Sequence, residues 1–123
     1  MEQHLVPANG FYEWVRDGKI HQPHLIRMKG GGLFAFAGLW AVRKDVTSFT
    51  IMTTEPNALM AGIHNRMPVI LGVDDYDRWL DLDADTTDVV KPCPSEWLEA
   101  YPVDKRAGNV RNNDASLIEP LSA

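Results

Sequence analysis

The sequence predicts an α+β fold built mainly from antiparallel strands, with a few short helices. β-branched and aromatic segments fill the first half of the chain, and short turn signals such as Asp17-Gly18 separate them. Helix-like segments appear only after Pro56. Strands joined by short turns pair antiparallel, because a parallel pair needs a long crossover connection. We therefore expect four or five hairpin-connected strands rather than a doubly wound sheet.

The strands expected in the first half cover residues 11–16, 24–29, 33–42 and 48–54. Turn signals lie at residues 7–10, 17–18 and 30–32, one before each of the first three strands. Phe34, Phe36 and Trp40 recur at even spacing. Side chains alternate between the two faces of a strand, so these three rings are expected on one face.

Shorter elements are expected in the second half. They are helical turns at residues 57–63, a strand at 68–71, a helix from residue 74, a helix start at 94–98 and a strand at 101–104. Asp74 and Asp75 suit the positive N-terminal end of the helix, which Tyr76, Trp79 and Leu80 would line with an apolar stripe. Residues 81–87 and 106–114 are polar and loop-like, and residues 116–121 close the chain.

Size and charge limit the possible functions. The 123 residues, of which 45% are hydrophobic, suffice for one domain. A net charge of −5 argues against a broad polyanion-binding surface, so any contact with DNA needs a local basic cluster. The sequence has no apolar run of membrane-spanning length and no signal-peptide pattern at its start. The single Cys93 cannot form an internal disulfide, which fits a cytoplasmic setting.

Glu13 is the first candidate for chemistry, because it stands between aromatic residues in Gly10-Phe11-Tyr12-Glu13-Trp14. Burial there would disfavour the ionised carboxylate and let Glu13 act as a general acid or base. Strand alternation equally allows a glutamate that points into solvent, and periodicity alone favours that alternative.

A second candidate cluster is His64-Asn65-Arg66, between a helical turn and a strand. His64 could transfer protons and Arg66 could hold a phosphate, while Asn65 could be a turn residue. The two longer side chains could equally cap backbone carbonyls. Thr53, at a strand end, could offer a hydroxyl to a ligand or be merely structural.

Cys93 is flanked by prolines, and an incidental turn cysteine is the better interpretation than a nucleophile. The histidines outside the second cluster make no ligand pattern with it, so we expect no metal. The glycine triplet lacks the spacing of a phosphate-binding loop, and no cofactor is predicted.

Six blocks in order resemble one family. They are Pro7-Ala8-Asn9-Gly10-Phe11-Tyr12-Glu13-Trp14, Gln22-Pro23, Phe36-Ala37-Gly38-Leu39-Trp40, residues 49–57, Ile63-His64-Asn65-Arg66-Met67-Pro68-Val69-Ile70-Leu71 and residues 103–112. The pattern is similar to that of the SOS response-associated peptidase (SRAP) family. The resemblance implies a curved, barrel-like antiparallel sheet and a sensor of abasic sites in single-stranded DNA. An N-terminal cysteine, exposed by self-processing in some members, would form a thiazolidine cross-link with the opened sugar.

The resemblance also implies roles for individual residues. Glu13 matches the active-site glutamate, which would assist sugar-ring opening, and His64 matches the histidine that would move protons at the aldehyde carbon. Arg66 would contact DNA phosphate. Asn65, Thr53 and Trp14 are further candidates for DNA contacts.

The chain departs from the family at its start, where Met1 is followed by Glu2-Gln3-His4 instead of a cysteine. We therefore expect residues 1–123 to be the C-terminal part of one SRAP domain, without the segment that carries the nucleophile. Exposed sheet edges would then favour a homo-oligomer. A degenerate DNA-binding or interaction fragment without catalysis remains the alternative. The cytoplasm, and the nucleoid in a bacterium, is the expected location.

Overall fold

The computed structural model describes residues 2–105, which form nine strands and two short α-helices. The strands are β1 Glu2–Ala8, β2 Phe11–Asp17, β3 Ile20–Met28, β4 Phe34–Arg43, β5 Val46–Ile51, β6 Thr53–Thr54, β7 Met67–Pro68, β8 Ile70–Leu71 and β9 Leu98–Pro102. The helices are α1 Ala58–Ala61 and α2 Tyr76–Leu80, and 3-10 turns cover Val73–Asp75 and Ser95–Trp97.

Every strand pair among the described residues is antiparallel, which confirms the predicted α+β class. One sheet has the order β1-β4-β5, with β8 also paired to β4, and a second has the order β2-β3-β9. β6 and β7 form a short separate pair. The first sheet curves but ends in β1 and β5 as edges, so within the described residues it is not a closed barrel.

β4 lies between two hydrophobic cores, and each of its faces contributes side chains to one of them. Phe34 and Phe36 project into the first core, between the two larger sheets. Ala37 projects the other way, into a second core with Trp79 of α2. The even spacing predicted that Phe34, Phe36 and Trp40 lie on one face of the strand. Phe34 and Phe36 are both buried on this face.

β1 was not predicted by the sequence, although it pairs with β4 along its whole length. Its polar residues Gln3 and His4 interrupt the apolar alternation that identifies strands. Pro7 has no backbone N–H, which argues against a central strand but is tolerated at a sheet edge. β1 is an edge strand of its sheet, so it can contain Pro7 without losing a hydrogen bond to a second neighbouring strand.

The helix expected from Asp74 differs in two respects. The chain first makes a 3-10 turn, and Asp75, at the N-cap of α2, makes no side-chain capping hydrogen bond. Trp79 is buried and its indole N–H donates to the His4 carbonyl at 3.0 Å. Leu80, predicted to share the apolar stripe, is 43% exposed. With only five residues, α2 buries one side chain rather than a continuous stripe.

Other boundaries differ from the prediction because contacts between distant parts of the chain override propensity. The strand expected at 48–54 is broken at Met52, whose N–H donates to the Ala37 carbonyl at 2.9 Å. The last described strand begins at Leu98 rather than at Tyr101. The loop expected at 106–114 and the segment 116–121 lie outside the described residues. None of the helices within residues 2–105 has the length and apolarity to span a membrane.

Tight turns join successive strands, and three of them contain positive φ angles, including the glycine turn at residues 30–32. Gly18, in the predicted Asp17-Gly18 turn, has a φ of 60°. The turn between β4 and β5 was not predicted and uses Lys44 and Asp45, with φ angles of 51° and 66°. Side chains with a Cβ adopt this region at a cost of about 1–2 kcal/mol per residue.

Gly38 of β4 gives His4 of β1 the space to lie across the sheet. A Cβ added to Gly38 would lie 2.7 Å from Nε2 of His4 and 2.8 Å from Cγ2 of Val6. Real carbon contacts are longer, so the β1 side chains would have to move.

We expect Gly38→Ala to lower the free energy of unfolding by about 1–3 kcal/mol, because the added methyl overpacks this contact. The matched control is Gly62→Ala. Gly62 has a φ of −80° and no atom within 4 Å of the added Cβ. That change should be neutral or stabilise the protein by about 0.4–1 kcal/mol. Urea denaturation measures both, and equal effects would contradict the steric explanation.

Candidate functional site

β2 carries Glu13 towards the core side of its sheet. Phe11 and Glu13 are two positions apart, so they share a face of the strand. The Phe11 ring packs edge-on against Phe36 of the first core, with centroids 5.7 Å apart. This contact turns the same face, and with it Glu13, towards the loop that follows α1.

α1 holds His64 in place through backbone hydrogen bonds. The His64 N–H donates to the Met60 carbonyl at 2.8 Å. Asn57 caps the helix, because its Oδ1 accepts from the Met60 N–H at 2.9 Å. The Asn57 amide also donates to the Cys93 carbonyl at 2.9 Å, which ties the short helix to a distant loop. Asn57 is therefore a positioning residue for the loop of His64.

Glu13 and His64 lie side by side. Oε2 of Glu13 is 3.6 Å from Nδ1 of His64, and the two side chains are 25% and 45% exposed. Nδ1 of His64 lies 3.0 Å from both the N–H and the carbonyl oxygen of Arg66, so it accepts from the N–H in one tautomer of the neutral ring and donates to the carbonyl in the other. When the ring is protonated, Nδ1 has the Arg66 carbonyl and the Glu13 carboxylate as acceptors. The arrangement can thus hold an added proton next to a carboxylate.

Arg66 is fixed by Thr53. Its Nη2 donates to the Thr53 carbonyl at 3.0 Å and to the Thr53 hydroxyl at 3.2 Å. The sequence suggested two alternatives for Arg66, a phosphate contact or a cap on a carbonyl, and the second holds for one of its nitrogens. Within residues 2–105, Nε and Nη1 of Arg66 make no hydrogen bond.

These side chains surround a shallow cleft of about 200 Å³. Its lining consists of Phe11, Glu13, Thr53, His64, Arg66, Met67 and Pro68. Four of the six residues proposed from the sequence therefore meet in one place. Met67 is buried and Phe11 is half-buried, so the polar groups stand on an apolar floor. The apolar lining residues and Asn57 were not proposed, although an asparagine just before a helical turn is a common capping signal.

Trp14 and Asn65 do not line this cleft. Trp14 follows Glu13 on the strand and so faces the opposite side, where its ring is 6.3 Å from that of Tyr12. It is 40% exposed. Asn65 is exposed in the bend between His64 and Arg66. Their proposed DNA contacts stay predictions, on surfaces beside the cleft rather than within it.

Cys93 belongs to the first core and is 3% exposed. Burial raises the pKa of the Cys93 thiol to about 11, while a hydrogen bond from Asn57 opposes this change. A thiol with this pKa is almost entirely protonated at neutral pH and is a poor nucleophile. No group of three or more potential metal ligands is present within residues 2–105.

The comparisons with known proteins agree on one family. Residues 2–110 match the family model described as "SOS response associated peptidase (SRAP)". The chain is 39% identical to the abasic site processing protein YoaM of Bacillus subtilis over 125 residues, which cover 94% of this chain and 55% of that protein. It is 32% identical to the abasic site processing protein HMCES of Xenopus tropicalis, covering 89% of this chain and 40% of that one.

A solved structure of a protein from Bacteroides thetaiotaomicron shares the fold. Its TM-score is 0.86 at 26% identity, covering 98% of this chain and 57% of that chain. The chain thus spans about half the length of the curated relatives it matches.

Cys93 should leave a signature in the pH dependence of stability. Its pKa is raised in the folded state, so the unfolded state loses the thiol proton first as the pH rises. The free energy of unfolding should therefore fall between about pH 9 and pH 11 by an amount on the order of 1–3 kcal/mol. Cys93→Ala should lack this part of the fall. Denaturant unfolding of both proteins across this range checks it, and parallel curves would contradict a buried, protonated thiol.

Proposed function

The chain belongs to the SRAP family, and we propose that its cleft manages the proton transfers by which abasic sites in single-stranded DNA are captured. The relatives YoaM and HMCES are abasic site processing proteins. The observation that carries the proposal is the approach of Glu13 Oε2 to His64 Nδ1 at 3.6 Å, beside a cationic side chain. We place this activity in the cytoplasm, and at the nucleoid if the organism is bacterial.

Glu13 is assigned to the opening of the abasic sugar. Opening breaks the bond between the anomeric carbon and the ring oxygen. The anomeric hydroxyl gives up a proton and the ring oxygen gains one. A carboxylate on an apolar floor can accept the first proton and, as the carboxylic acid, return a proton to the leaving oxygen. The product is an aldehyde at the anomeric carbon.

His64 is assigned to the capture of this aldehyde. An amine adds to the carbonyl carbon, and one of its protons passes to the oxygen to give a carbinol. The carbinol oxygen gains a second proton and leaves as water, while the nitrogen gives up its other proton and forms the imine. Thiol addition to the imine carbon then closes a thiazolidine ring, and the thiol proton passes to the nitrogen. An imidazole whose added proton can rest beside Glu13 suits both transfers.

The attacking amine and thiol are assigned to an N-terminal cysteine in the part of the family domain that this chain does not match. Cys93 does not fill this role, because it is buried in the core and has no α-amine. The autoproteolytic activity of the family, which would free such a cysteine, is part of the same proposal for the complete domain.

Arg66 is assigned to a DNA phosphate beside the lesion. Thr53 restrains one side of the guanidinium, which lowers the entropy lost when the remaining donors bind a ligand. A single oriented arginine is consistent with a chain whose net charge is −5, since it needs no extended basic surface. We expect the DNA ligand to be single-stranded, because the sugar and phosphate of an unpaired nucleotide can enter a cleft this shallow.

A non-catalytic DNA-binding or interaction role is the second candidate. The 3.6 Å separation within the pair exceeds hydrogen-bond length, and His64 and Arg66 both bond to backbone atoms. These contacts would stabilise the loop even without chemistry. Replacing Glu13 and His64 together would then reduce stability and leave DNA affinity unchanged.

We expect Glu13→Gln and His64→Gln each to slow covalent capture of abasic DNA by about 10²–10⁴-fold, because each removes a proton-transfer group. The assay joins this chain to an N-terminal segment that begins with a cysteine, so that the proposed complete domain is present, and follows denaturation-resistant adducts on gels. Glu55→Gln is the matched control, since Glu55 is exposed and outside the cleft. Unchanged adduct rates in both cleft variants would overturn the assignment.

Arg66→Ala should weaken the binding of this chain to single-stranded DNA. Loss of one phosphate contact should also reduce the slope of log affinity against log salt by about 0.7. Arg43→Ala, which removes an exposed arginine at the far end of β4, is the control. Fluorescence anisotropy at several salt concentrations measures both. An equal loss in the two variants would mean that general charge, not the cleft, determines binding.

A further inference from the structure

The N-terminus of α1 is capped from two different parts of the chain. The first backbone N–H groups of a helix have no partner within the helix itself. One of them, the Met60 N–H, donates to Oδ1 of the neighbouring Asn57. Another, the Leu59 N–H, donates to the hydroxyl oxygen of Ser95 at 3.4 Å, and Ser95 lies 36 residues further along the chain. Ser95 therefore adds a second cap to a helix of only four residues.

Ser95 belongs to a segment that the first core holds in place. It is half-buried and stands at the start of the 3-10 turn that precedes β9. Cys93 on one side of it and Leu98 on the other are both buried in the first core. The Trp97 carbonyl accepts from the Lys29 N–H at 2.9 Å, which ties the same turn to the end of β3. With anchors on both sides, the Ser95 hydroxyl offers α1 a fixed point.

α1 connects this fixed point to His64. The Met60 carbonyl accepts from the N–H groups of both Ile63 and His64, each at 2.8 Å. A helix of one turn has few internal bonds of its own, so its position depends on the contacts at its ends. A displacement at Leu59 therefore moves Met60 and, through its carbonyl, the backbone of His64. The quantity that would change is the distance of 3.6 Å between His64 Nδ1 and Glu13 Oε2.

Arg66 is supported from a different element. Its guanidinium is held by Thr53 of β6, which pairs with β7. Within residues 2–105, Ser95 makes no hydrogen bond to β6, to β7 or to Arg66. Asn57 contacts both supports, because its backbone N–H donates to the sulfur of Met67 on the cleft floor at 3.3 Å. Of the two capping residues, only Ser95 supports the histidine without a bond to the part of the cleft that holds the arginine.

We propose that Ser95 is a positioning residue for His64, and that it sets the rate of abasic-site capture without setting the affinity for DNA. The inference rests on the proposed function of the cleft. Ser95 does not line the cleft, so it acts on the chemistry only through α1. Proton transfer depends steeply on the position of the transferring group, and small displacements that start far from the reacting atoms reduce the rate.

The test is Ser95→Ala in this chain joined to an N-terminal segment that begins with a cysteine. The rate of adduct formation at saturating abasic single-stranded DNA should fall about two- to tenfold, the size of one lost hydrogen bond. The DNA concentration that gives half of the maximal rate should not change. Ser95→Thr keeps the hydroxyl and should restore the rate. Ser48→Ala, which alters an exposed serine of β5 outside the cleft, is the matched control, and Arg66→Ala is the reference for a loss of affinity.

Amide hydrogen exchange of the 123-residue chain, followed by NMR, is the second measurement. Exchange of the Leu59 and His64 amides should be faster in Ser95→Ala and normal in Ser95→Thr and Ser48→Ala. Exchange requires no adduct, so it tests the support of His64 even if the unaltered protein captures no abasic DNA, a result that would count against the proposed function alone.

Three results would overturn the inference. The first is a rate in Ser95→Ala equal to that of Ser48→Ala, or one that Ser95→Thr does not restore. The second is a loss of DNA affinity in proportion to the loss of rate, as in a general weakening of the fold. The third is unchanged exchange at the His64 amide, which would mean that α1 does not transmit the contact.

Discussion

The hydrogen bonds of the Asn57 side chain connect the parts of the molecule that form the cleft. One bond caps a helix of four residues, which is too short to persist on propensity alone. The other ties that helix to the loop of Cys93, itself buried in the first core. The last turn of the helix then fixes the backbone of His64. The position of an exposed histidine thus depends on an amide that does not itself line the cleft.

The sequence predicted the class of fold well, because hairpin turns and alternation are local signals. Gly18 and the glycines at 30–32, all with positive φ, lie where turns were expected. β1 was missed because its polar residues and Pro7 conceal an edge strand, and Leu80 was misplaced because the helix is shorter than its pattern. Each error arises where tertiary contacts decide the outcome, which a local pattern cannot show.

The cleft itself was predictable only through the family resemblance. Glu13 and His64 are 51 positions apart in sequence. No periodicity relates a residue on a strand to a residue on a loop so far along the chain. Their approach follows from packing of Phe11 on Phe36, which the alternation of β2 permits but does not require. For Arg66 and His64 the structural interpretation describes real contacts, and the functional interpretation stays a prediction. Backbone bonds orient these side chains while leaving ring and guanidinium atoms exposed.

Lys44 and Asp45 connect β4 to β5 through backbone angles that glycine adopts more readily. The two charges stand directly before the uncharged strand β5. Charged residues that flank an aggregation-prone segment act as gatekeepers during synthesis, since they oppose its stacking with identical chains. A glycine at either position would relieve the cost of this backbone conformation but would remove one of the two charges that flank β5.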